Sequence, residues 1–128
     1  MIRQNIIATV VLLVLDILWV TLYMSKAYKK QVQDIQGSAM KGRIYLGVIA
    51  YILMVVGLNM FVLPNIRKGH ELIDSLKYGA TFGLVVYGIY DMTAGTVLKD
   101  WDLKLATVDV IWGSFVFFIS AYVGSKLA

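Results

Sequence analysis

Four long, nearly unbroken apolar runs constrain this chain more than anything else in it. They cover about 5–24, 44–63, 76–98 and 103–123, each close to the ~20 residues that a helix needs to cross a bilayer. A helix on the surface of a soluble domain shows one apolar face and one polar face. These runs are apolar on all sides, so their natural surroundings are lipid. The balance of residues agrees: 59% of the chain is hydrophobic and 16% charged, against roughly 45–50% and 25% in soluble domains. The expectation is an all-α, integral membrane four-transmembrane-helix bundle, a single transmembrane domain over 1–128 with both termini on one side.

The punctuation between the runs supports that count. The first run is interrupted by Asp16 and followed by "SKAYKK", where a cleavable signal would end in small residues, so it is read as a retained helix. Pro64, the only proline, lacks a backbone donor and ends the second run. Asp74 or Ser75 is expected to cap the third. The polar connection Ser25 to Arg43, with Gly37 and Gly42, is expected to prolong the first helix beyond the membrane before the chain turns. Gly79 and Gly83 in "GATFG" have the small-xxx-small spacing that lets two helices approach closely, and the pairs Gly47 with Gly57 and Gly88 with Gly95 offer further contacts.

Lipid makes the acidic residues conspicuous. A charge at the bilayer centre costs about 2.5–3.5 kcal/mol or more, so such a residue faces the bundle interior and has partners. Asp16, Asp91 and Asp109 all lie within the runs. At ~1.5 Å of rise per residue, Asp16 falls near the midplane, while Asp91 and then Asp109 fall toward the face bearing the Ser25 to Arg43 connection. All three occupy one half of the membrane, although nothing in the sequence obliges them to share a helix face.

Two of them head the same motif, "DILW" and "DVIW". Residues three apart lie on one side of a helix, so Trp19 flanks Asp16 and Trp112 flanks Asp109. An indole has one N–H and a large apolar body; it can donate to a carboxylate on a neighbouring helix or wall one off from lipid. The shared motif suggests that the first and fourth helices play equivalent parts in opposite directions, as in an inverted repeat. Trp101, Tyr23 and Tyr122 suit an interfacial aromatic belt instead. In the third run, "YGIYDMTAGT" places Tyr87 four residues before Asp91, where the two can meet, and adds Tyr90, Thr93 and Thr96. That density of hydroxyls favours a hydrated cavity over lipid. Asn59, nearer the other membrane face, reads as a hydrogen-bonding link between helices.

The order of these pieces resembles a known family. Y-x-x-Y-D-φ-T (Tyr87, Tyr90, Asp91, Thr93), K-x-W-x-L (Lys99, Trp101, Leu103) and V-D-φ-φ-W-G (Val108, Asp109, Trp112, Gly113) resemble the small bacterial membrane proteins grouped as domain of unknown function 2177. The resemblance spans nearly the whole chain. It implies a four-helix integral membrane protein in a bacterial inner (plasma) membrane, and carries no activity with it.

Known enzymatic and cofactor signatures are missing. The chain has no cysteine and one histidine, His70, in a polar connection, so thiolate sites and histidine cages are excluded. No nucleophile elbow, phosphate loop or dinucleotide fingerprint occurs, and no catalytic residue, metal site or cofactor is assigned. The net charge of +4 comes from basic residues beside the membrane, which suit anionic headgroups rather than nucleic acid. Lys26, Lys29, Lys30, Lys41, Arg43, Lys99 and Lys104 tilt the long-connection face toward the cytoplasm. The expected partners are the lipid bilayer, a second copy in a homo-oligomer, and a small-molecule or ion substrate. The leading functional expectation is a proton- or ion-linked carrier whose pathway comprises Asp16, Asp91, Asp109, Trp19, Trp112, Tyr87, Tyr90 and Thr93. Its competitors are a non-transporting assembly or lipid-interacting factor, in which these residues only hold the bundle together, and then an enzyme acting on a lipid-like substrate.

Overall fold

A computed structural model of the protein describes residues 2–24, 44–98 and 101–127. Among them there is no strand, and four helices follow the four apolar runs. The first is Ile2–Trp19, continued by a wider π-type turn at Val20–Met24. The second runs Ile44–Gly57, widens at Leu58–Val62 and tightens into a 3-10 turn at Leu63–Asn65. Pro64 sits in that last turn, after which Ile66 is extended; this is the stop that proline imposes. The third begins at Glu71–Asp74, passes through a π-type turn at Ser75–Ala80 and continues over Thr81–Val97. The fourth is unbroken, Leu103–Leu127. The protein is an integral membrane four-helix bundle.

Three of the helices are long and apolar enough to cross a membrane on their own composition: Ile2–Leu22, Tyr45–Asn65 and Leu103–Leu127. Of the third helix's polar residues, Tyr87 and Asp91 turn into the bundle, while Tyr90, Thr93 and Thr96 are exposed. The fourth is the axis, packed along both the first and the third. Its buried face runs through Ala106, Asp109, Gly113, Val116, Phe117, Ser120, Ala121 and Gly124. Small residues make this packing close. A methyl added to Gly79 would lie 2.8 Å from the Phe117 carbonyl oxygen, and one added to Gly124 would lie 2.6 Å from Ala8 Cβ. Gly83 rests directly on the backbone of Gly113. The small-residue spacing at Gly79 and Gly83 thus serves a contact inside the chain. Without a hydrophobic drive between helices in lipid, such van der Waals contact and interhelical hydrogen bonds must do the holding.

Elsewhere the expectations need adjusting. Asp74 and Ser75 do not cap the third helix, which starts a turn earlier at Glu71. Asp74 instead accepts hydrogen bonds from the Arg67 backbone N–H (2.9 Å), Nε (2.9 Å) and Nη2 (3.1 Å), closing the turn after Pro64. These bonds hold its carboxyl down to about 2, from an ordinary 3.8. The fourth helix continues to Leu127, past the Val123 end expected for the run. Trp101 is buried beside Gly95 and so is no part of an exposed belt, while Tyr122 stacks on Phe118 at 6.1 Å. The Ser25 to Arg43 connection, Lys99 and the side chain of Tyr23 lie outside what the structure describes.

Candidate functional site

All four helices send polar side chains to the level of Asp16. Asp16 is 4% exposed, Asp91 fully buried and Asp109 7% exposed. Tyr87 of the third helix donates its hydroxyl to Asp16 Oδ1 at 2.5 Å. Trp112 of the fourth donates its indole N–H to the same oxygen at 2.9 Å. Tyr51 of the second has its hydroxyl within hydrogen-bonding reach of the same carboxyl. Asp16, on the first helix, therefore has partners from each of the other three. A carboxyl oxygen can accept more than one hydrogen bond, and Asp16 Oδ1 accepts two, from Tyr87 and Trp112.

Asp109 has a different shell. Trp19 donates its indole N–H to Asp109 Oδ1 at 3.3 Å, and the carboxyl of Asp91 lies within hydrogen-bonding reach. Asp91 and Asp109 thus set two neighbouring buried carboxyls beside Asp16.

The two D-x-x-W motifs are crossed. Each tryptophan lies on its own aspartate's side of the helix but bonds the aspartate of the other helix. Between them the indoles of Trp19 and Trp112 stack at 4.7 Å and 9°, a spacing within the favourable range for aromatic pairs. Exchanging the first helix for the fourth carries Asp16 onto Asp109 and Trp19 onto Trp112. The Asp16 to Trp112 bond then becomes the Asp109 to Trp19 bond, a local two-fold relation between the first and fourth helices.

Six of the eight residues expected at the site meet here: Asp16, Asp91, Asp109, Trp19, Trp112 and Tyr87. Tyr87 serves Asp16 across the bundle instead of Asp91 one turn along its own helix, because Gly113 leaves room under its ring. Tyr90, 60% exposed, and Thr93, also exposed, point away from the bonds of the cluster. Tyr51 was missed. Its signal is a faint echo: "GVIAY", Gly47 to Tyr51, repeats the pattern of "GLVVY", Gly83 to Tyr87, and both tyrosines turn toward Asp16. Away from the cluster, Asn59 donates to Thr9 Oγ1 at 3.0 Å and links the second helix to the first as expected. Among the described residues no group of His, Cys, Asp or Glu side chains is arranged to hold a metal ion.

The model of one family, Predicted membrane protein (DUF2177), matches residues 1–126. The chain belongs to this family. No curated protein and no solved structure matches it. Family membership supports the membrane fold described above.

Proposed function

We propose that this DUF2177 member is a proton-linked carrier of a small molecule or ion in a bacterial inner membrane, working as a homo-oligomer because four helices enclose little room. The observation that supports this is the convergence of side chains from four helices on buried Asp16, with the Asp91 and Asp109 carboxyls alongside. Intramembrane acids facing a bundle interior are costly and mark ion or proton pathways in many membrane proteins. Here the two carboxyl environments differ: Asp16 has an O–H and an N–H donor, while Asp109 has one indole N–H and a second carboxyl beside it. In this reading Asp91 and Asp109 exchange the proton, Asp16 is the fixed acceptor at the midplane, and the Tyr87 hydroxyl, both donor and acceptor, sits between Asp16 and the substrate.

The test is flux in proteoliposomes carrying an internal pH dye, with an imposed pH gradient and a panel of small cations, amines and organic acids. At least one solute is expected to move protons with it, and Asp109→Asn is expected to abolish the coupling. Flux that persists unchanged in both Asp16→Asn and Asp109→Asn removes these residues from the pathway. A non-transporting role has one observation of its own: the crossed indole bonds also act as a pure cross-link between the first and fourth helices. Stability lost in proportion across all cluster variants, with no solute-dependent proton movement, favours that alternative.

A further inference from the structure

The first and second helices hold each other at one end only. Gln4 Nε2 on the Leu63 carbonyl (3.4 Å), Asn59 on Thr9 and Tyr51 toward Asp16 set one antiparallel register. Each step back along the second helix is a step forward along the first. One turn beyond Tyr51, this register sets Gly47 opposite Val20. Yet Gly47 meets nothing: a methyl added there would find no atom within 4 Å. Residues 45–50 are exposed on every side of the helix, and Val20 is exposed as well.

The third and fourth helices show what is missing. One turn from Tyr87, Gly83 lies against the backbone of Gly113. The two-fold relation that carries Asp16 onto Asp109 and Trp19 onto Trp112 also carries Val20 onto Gly113. The repeated G-φ-φ-φ-Y pattern carries Gly47 onto Gly83 and Tyr51 onto Tyr87. Two independent routes, hydrogen-bond register and local symmetry, therefore pair Gly47 with Val20, and the contact is open.

We propose that the second helix closes on the first, seating Gly47 against Val20 one turn beyond Tyr51 and shutting the gap beside the already buried Asp16. The pivot is where the second helix is already held. The ring of Phe82 presses on Gly57, and the wide turn Leu58–Val62 follows at once; π-type turns of this kind often occur at functional sites. Val20 is bulkier than Gly113, so the closed contact is less intimate than Gly83 on Gly113. That difference leaves one pair permanently shut and the other able to open. Closure shuts the gap between the ends of the two helices next to the cluster and does not depend on transport; if the carrier reading holds, this gap is its gate.

Because the chain has no cysteine, the closure can be read by disulfide trapping in native membranes. The pair Val20→Cys with Gly47→Cys is oxidised and counted by a maleimide mass shift. Two references accompany it: Thr9→Cys with Asn59→Cys, on the hydrogen-bonded neighbours, and Val14→Cys with Gly47→Cys, out of register. The expected result is cross-linking of the Val20 and Gly47 variant comparable to the Thr9 and Asn59 reference and well above the Val14 one. Cross-linking of the Thr9 and Asn59 pair, with the Val20 and Gly47 pair no better than the out-of-register one, overturns the proposal. Failure of the Thr9 and Asn59 pair also overturns it, since the register from which closure follows would then be wrong. Either result is independent of any flux measurement.

Discussion

The bundle contains two antiparallel helix pairs built to related patterns, and they are packed differently. The third and fourth helices meet glycine on backbone at Gly83 and Gly113 and again at Gly79 and Phe117, and the contact extends along both. The first and second meet near Leu58, Val62 and Asn59 and separate beyond Tyr51, where 45–50 are exposed. The lesson is that a tyrosine aimed at Asp16 does not by itself close a helix pair. What differs is the residue opposite the glycine one turn away: Gly113 in one pair, the bulkier Val20 in the other.

The sharpest way to break this comparison is to add the same methyl on both sides. In Gly83→Ala the new carbon collides with the backbone of Gly113, and overpacking of that kind costs about 1–3 kcal/mol. A marked fall in the unfolding temperature of the detergent-solubilised protein is expected. Gly47→Ala, in open space, should leave it unmoved or slightly raised, since alanine is the better helix former by about 1 kcal/mol. Equal effects at the two positions would mean that the pairs are packed alike.

The next test concerns the donors. Asp16→Leu strands the Tyr87 hydroxyl and the Trp112 indole N–H, each at about 1–3 kcal/mol for a buried unpaired group. Asp16→Asn keeps a carbonyl oxygen for both and should be much milder in the same melts. Among the indoles, Trp112→Phe removes a 2.9 Å bond and Trp19→Phe a 3.3 Å one. The former is expected to be the more destabilising, by a few tenths of a kcal/mol, since a whole hydrogen bond inside a membrane averages about 0.6 kcal/mol.

The smallest effect lies outside the membrane. Asp74 titrates near 2 in the folded protein because of its hydrogen bonds from Arg67, against an ordinary value of 3.8. A carboxylate lowered in this way contributes stability that is present above the unfolded value and is lost as pH falls through the folded one. Arg67 is 65% exposed, so solvent screens its partner and the contribution is small. Melts between pH 4 and about pH 2 should show a step of stability in the wild type that Asp74→Asn lacks.

Much of this was legible from residues alone. Apolar runs of helix-spanning length announced four helices, and intramembrane cost announced that Asp16, Asp91 and Asp109 would be enclosed. The D-x-x-W repeat pointed to equivalent roles for the first and fourth helices, but not to the crossed pairing. Crossing depends on the interhelical register, which period and spacing within one helix do not encode. Tyr90 and Thr93 were placed in the pathway by their company in the sequence, yet helical rotation turns them outward, since the face that meets the fourth helix is already marked by Gly83, Tyr87 and Asp91. Tyr51 stayed hidden because a single tyrosine in an apolar helix looks like any lipid-facing aromatic until its glycine-to-tyrosine spacing is compared with that of the third helix. Trp101 misled for a similar reason: a tryptophan at a helix end suits the interface, and only the gap beside Gly95 takes it inward.

The crossed Asp and Trp pairing is the claim on which the rest depends, and a double-mutant cycle on Asp16→Leu and Trp112→Phe tests it most directly. If the two are hydrogen-bond partners, each single change leaves the other group buried and unpaired, so the double variant should be more stable than the sum of the single losses implies, by about 1 kcal/mol. Losses that simply add would mean that Trp112 does not hold Asp16, and that the cluster is not the shared centre of the four helices.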